Sequence, residues 1–195
     1  MLENKIIGQK IDGDQNFKYV WVELDPLSLI INSVASWIYY EGRQYDKALQ
    51  QSQRALDMDP TYTPALLDHG MVYLRTGEYR KAIAQFESAR SVAGDEGIIL
   101  SYLAQARALA GDQIGARNIL LRIKNSSARR AVSTWDLALV YSALGEKDKA
   151  IEALERAAEE HVGWVIRLGV DPALDPLRTD PRFQSLLRRI RPAWA

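Results

Sequence analysis

Between residues 26 and 164, apolar residues recur at the period of a helix, and the helical stretches themselves recur in pairs. In the stretch 63–96, Leu66, Gly70 and Tyr73 fall at helical spacing, and beyond Thr76-Gly77-Glu78 so do Ala82, Phe86 and Ala89. The pattern predicts two short helices hinged at Gly77. One such hairpin cannot bury its apolar stripes alone, so the sequence must supply stacked copies. It does: Ala48, Ala82, Ala116 and Ala150 follow one another at intervals of 34 residues.

Helices are predicted over 27–41, 45–58, 64–75, 79–92, 97–110, 114–124, 130–144 and 147–161. Their hinges carry Gly42, Gly77, Gly111 and Gly145, each expected to accept the left-handed conformation that ends a helix. Such short connections force antiparallel neighbours. Residues 1–25 leave the pattern. Phe17, Tyr19 and Trp21 alternate with Lys18, Val20 and Val22, which suits two short strands around a turn. Asp25-Pro26 lies 34 residues before Asp59-Pro60, which suits a helix over 21–24 instead. Beyond His161 the repeat stops, and Asp171-Pro172, Asp175-Pro176 and Asp180-Pro181 read as helix starts. The stretch 181–191 should be a helix with Phe183, Leu186, Leu187 and Ile190 on one face, covering the last hairpin.

Residues 29–164 resemble four tetratricopeptide repeats, at 29–62, 63–96, 97–130 and 131–164. The second repeat carries the pattern most fully, with Leu66, Gly70, Tyr73, Gly77, Ala82, Phe86 and Ala89; the first has Ser36 and Ser52 where the family has Gly and Phe. The resemblance implies an all-α, right-handed superhelical solenoid of four helical hairpins. Residues 1–25 then form a non-repeat segment and 165–195 a C-terminal cap. The tail, from Gly163-Trp164 through Asp180-Pro181-Arg182-Phe183, resembles the end of repeat regions in large bacterial regulators that also carry TolB-like, winged-helix or kinase segments.

Composition narrows the function. Twenty-five basic and 25 acidic residues give a formal net charge of zero, a poor match to nucleic acid. There is no cysteine for a disulfide or thiolate metal site, no apolar run long enough for a membrane span, and no secretory leader pattern, so the expectation is a soluble cytoplasmic protein. His69 and His161 are the two imidazoles, neither within a ligand cluster, and both read as structural. No phosphate loop or nucleophile elbow is present, so neither an enzyme nor a cofactor is expected.

A second apolar face runs along the first helix of each hairpin. It carries Trp37 and Tyr40 in the first repeat, Leu67 and Met71 in the second, Tyr102 and Gln105 in the third, and Trp135 and Leu139 in the fourth. In the resembled family this face lines a concave groove that takes peptides. The resemblance implies a protein-interaction scaffold whose groove holds an apolar or aromatic-contacting peptide or helix. The aromatics are expected to be half wet, awaiting a partner. The competing reading is a structural module, its groove closed by the N-terminal segment, another copy of the chain, or an upstream domain. Arg188, Arg189 and Arg191 read as dipole-complementing residues rather than a docking patch.

Overall fold

In a computed structural model that describes residues 25–125 and 132–190, the 34-residue period becomes a row of helix pairs. The expectations for residues 1–24 and for Arg191 fall outside the described residues. The helices are α1 (Leu29–Glu41), α2 (Tyr45–Met58), α3 (Thr63–Arg75), α4 (Tyr79–Ala93), α5 (Gly97–Leu109), α6 (Gln113–Asn125), α7 (Thr134–Ala143), α8 (Lys147–Glu159) and α9 (Pro181–Ile190). Among the described residues there is no strand, as the all-α reading requires. Helix α7 begins at Thr134 because Ser133 and Asp136 form a reciprocal cap, the Ser133 Oγ accepting from the Asp136 N–H at 3.1 Å.

The recurring small residues explain how the helices of a pair approach. Ala48, Ala82, Ala116 and Ala150 are each 0% exposed, at the contact between partner helices. A Cβ built on Gly70 would lie 2.3 Å from Phe86, whose ring is itself fully buried, so only glycine fits there. In the first repeat the same register holds Ser36, whose hydroxyl donates to the Ala48 carbonyl at 2.8 Å and so stays satisfied within the crossing. Where the other repeats have a large apolar residue, Ser52 makes room for His69. The His69 Nδ1 lies 3.0 Å from the Ser52 hydroxyl and its Nε2 lies 3.2 Å from the Tyr73 hydroxyl. Burial lowers the His69 pKa, so the ring is a neutral member of this network.

The stack curves, and the packing says which way. First helices touch one another across repeats, α1 with α3, α3 with α5 and α5 with α7, whereas no second helix packs comparably on the next second helix. The first helices therefore form the inner, concave layer.

The hinges follow the glycine rule with one exception. Gly77, Gly111 and Gly145 have φ of 80°, 89° and 76°, but in the first hinge Gly42 has φ −76° and Arg43 takes the left-handed conformation at φ 58°. Arg43 occupies the register position of those three glycines.

The tail does more than cap. Helix α9 lies on α8, with Phe183 and Leu186 buried in the same core as Leu154 and Ala157. Between α8 and α9, two short 3-10 turns, Gly163–Arg167 and Pro172–Leu177, form a strap; the second packs on α7, on the concave side. Asp171 caps that second turn by accepting from the Ala173 N–H at 2.8 Å, whereas Asp175-Pro176 falls inside the turn and starts no helix.

Candidate functional site

Two adjoining cavities lie between the inner helices and the strap. The larger, of about 240 Å3, is lined by Trp37, Leu67, Met71, Tyr102 and Trp135, together with Pro64, Ile98, Trp164, Asp68, Asp136 and Arg167. The smaller, of about 10 Å3, adds Tyr40, Gln105 and Leu139 beside Arg75, Arg167 and Asp171. All eight positions singled out by the repeat pattern thus border one surface, contributed in turn by α1, α3, α5 and α7. They are less wet than expected. Trp135 and Tyr40 are 1% and 3% exposed, and Gln105, Met71 and Leu139 are buried too. Trp37, Leu67 and Tyr102 are half-buried.

Even the half-buried aromatics are partly covered by a neighbouring repeat and by the strap. Phe86 stacks on Tyr102 with centroids 5.2 Å apart and an interplanar angle of 14°. At the other end of the pocket, Trp164 of the strap meets Trp37 edge to face at 6.2 Å.

Arg167 is the chemical centre of the strap. Its guanidinium carbon lies 5.1 Å from the Trp37 ring centroid and 5.6 Å from that of Trp164, within cation–π range of both. It donates from Nε to Glu41 at 2.8 Å and pairs with Asp171 at 2.9 Å. Burial opposes its charge, and Asp171 and Glu41 outweigh that opposition, so its pKa is raised. Glu41 is raised mainly by burial, against the pull of Arg167. A second clasp lies further out: Arg43 donates to both oxygens of Asp175 at 2.7 Å, across 132 residues of sequence. These two clasps tie the strap to the end of α1, so the strap spans the concave side from the fourth repeat to the first.

Arg43 carries backbone strain for that geometry, since the left-handed conformation costs a non-glycine residue roughly 1–2 kcal/mol. The in-register glycines avoid it. Arg43→Gly should therefore be more stable than Arg43→Ala by about 1 kcal/mol in a urea titration, because both lose the clasp and one also loses the strain. The reverse order would mean that the backbone at residue 43 is not strained.

Two carboxylates complete the larger cavity. Asp136 is buried, which raises its pKa against the hydrogen bonds from Ser133. Asp68 is 8% exposed and its Oδ2 has no hydrogen-bond partner. Burial pushes its carboxyl up to about 7, and the nearby Ser33 hydroxyl only partly opposes this. Asp68, Tyr102 and Asp136 hold one register position in successive repeats.

The apolar pattern could not point to these acids or to Arg167, because it weighs hydrophobic positions. A signal did exist: acidic residues at an inward register position, beside groove positions already marked by their apolar neighbours. Among the described residues, no group of His, Asp and Glu is arranged to hold a metal ion, and no helix is long and apolar enough to cross a membrane.

Residues 39–105 and 135–160 match family models described as tetratricopeptide repeat. Among solved structures, the chain is similar to YrrB, described as a TPR protein with an unusual peptide-binding site. Identity is 17% and the TM-score 0.49, with 87% of this chain and 88% of that chain covered. It is also similar to MamA protein at 22% identity and a TM-score of 0.45, with coverage of 83% and 88% respectively. No curated protein matches the sequence.

Proposed function

We propose that this chain, which carries tetratricopeptide repeats and is a protein-interaction scaffold on that account, takes an extended segment of a partner protein on its concave side. The observation that carries this reading is the larger cavity, about 240 Å3 and bordered by the half-buried Trp37, Leu67 and Tyr102. An α-helix with its side chains is roughly 10–12 Å across. A space of that size under the strap suits one or two inserted side chains of an extended chain better than a helix. Aromatic anchors in such pockets carry most of the binding energy in protein interfaces. Partner binding should therefore depend on Trp37, Leu67, Met71 and Tyr102 at the larger cavity. Tyr40, Gln105, Trp135 and Leu139 would shape it from beneath.

A second reading is that the strap itself is the groove's occupant and the module is structural. The Arg167 and Arg43 clasps to α1 favour it. The closing element on this reading is the chain's own C-terminal segment, not the N-terminal segment, second copy or upstream domain expected from the sequence.

A photo-cross-linking side chain placed at Leu67, and in a control at the exposed Arg54 of α2, separates the two readings in cells that express the chain. Docking predicts partner adducts from position 67 and not from 54. Adducts from 54 alone, or none from 67, would leave the strap-filled structural module as the better account.

A further inference from the structure

We propose that the larger cavity is a receptor for an alkylammonium group, the side chain of a lysine in the partner's extended segment. This deepens the docking reading and rests on it.

A buried acceptor without a partner is costly, and interiors rarely leave one unless something else completes it. The Asp68 Oδ2 is such an atom, on a side chain 8% exposed that lines the cavity; the Ser33 hydroxyl beside it makes no hydrogen bond of normal geometry either and only partly offsets the burial of the charge. Asp136 lines the same space from the fourth repeat. Arg167, the only cation among the described lining residues, is already engaged by Glu41 and Asp171. The cavity therefore has acidic groups in excess of the cation it contains.

The walls agree with the charge. Trp37, Tyr102, Trp135 and Trp164 line the same cavity as the two acids. Aromatic faces attract a cation through the ring quadrupole, most strongly where water is excluded. The chain already uses this chemistry once, with Arg167 against Trp37 and Trp164.

Size and geometry favour lysine over arginine. The cavity of about 240 Å3 has room for several heavy atoms, given that one water takes about 30 Å3. Pro64, Leu67 and Ile98 offer an apolar border to a four-carbon stem. Asp68 and Asp136 reach the cavity from different helices, an arrangement that suits a compact ammonium with three rotatable donors better than a planar guanidinium, whose fork matches one carboxylate.

The probe is Nα-acetyl-lysine methylamide, titrated into the full chain at about pH 8 with tryptophan fluorescence as the readout. Saturable quenching is expected, with the norleucine analogue, which keeps the stem and lacks the ammonium, at least tenfold weaker. Asp68→Asn is isosteric and removes only the buried charge, so it should fold and yet lose at least tenfold in affinity for the lysine probe. Equal binding of the norleucine analogue, unchanged binding by Asp68→Asn, or no saturable response would each overturn the proposal. A third ligand, n-butylammonium, tests the source of the amine. Weaker binding than the lysine probe supports a peptide, and equal binding overturns the lysine assignment in favour of a free amine. Cross-links from Leu67 without lysine selectivity would remove this inference and leave the docking reading standing.

Discussion

Arg167→Ala is expected to remove about 3–5 kcal/mol of stability, because it leaves Glu41 and Asp171 buried without their counter-ion. Arg167 is itself 7% exposed, so water cannot replace the lost partner at either carboxylate without the strap moving. For a chain of this size the loss corresponds to a fall in melting temperature on the order of 10 °C. The guanidinium also fills the space between Trp37 and Trp164, so packing falls with the charge. The effect should shrink in acid, where Glu41, its pKa already raised by burial, protonates and no longer needs a cation. Hydrogen exchange should quicken over 163–177 more than over α4. A loss below about 1 kcal/mol, typical of exposed ion pairs, would show that the strap is not held by this residue.

Asp68→Asn is expected to do the opposite, and only at the right pH. Burial raises the Asp68 carboxyl from 3.8 to about 7 in the folded chain. Below about pH 4 the group is protonated whether the chain is folded or not, and Asp68 imposes no penalty. As pH rises toward 7 the unfolded chain releases the proton while the folded chain retains it, so stability falls, and above about 7 the penalty is complete. At about 1.4 kcal/mol per pH unit, holding Asp68 ionised near pH 8 costs on the order of 4 kcal/mol. Asn should therefore match wild type near pH 4 and exceed it increasingly toward pH 8 in paired urea titrations. Pairing is needed because Asp175, lowered chiefly by its hydrogen bonds from Arg43, adds stability as pH rises to about 4–5 and so overlaps the acid end of the same series. A gap that does not widen with pH would mean that Asp68 is not ionised against a burial penalty. A residue that destabilises its own fold near neutrality is common at binding sites, where the ligand supplies the missing partner.

Between them, these variants separate the two halves of the concave side. Arg167 answers for the strap, whose charges are paired within the chain, and Asp68 for the cavity, where an acceptor is left open.

The sequence by itself determined the helices, their pairing and the inner face. Ala48, Ala82, Ala116 and Ala150 at one register, Gly70 against Phe86, and Trp37, Met71, Gln105 and Leu139 at one repeat position are local or periodic features. A period of 34 residues repeats them often enough to read. Where the pattern was broken, as at Ser52, the compensation lay 17 residues away in His69, close enough to belong to the next repeat. Tertiary structure alone decided what covers that face. Arg43 and Asp175 are 132 residues apart and Arg167 and Glu41 are 126 apart, and no periodicity records a contact made once across the width of the solenoid. That single crossing, together with packing between repeats, turns the half-wet groove expected from Tyr40 and Trp135 into buried walls around a small acidic cavity. It does so because charge pairing and burial depend on where segments meet in space, whereas helical periodicity depends only on neighbours along the chain.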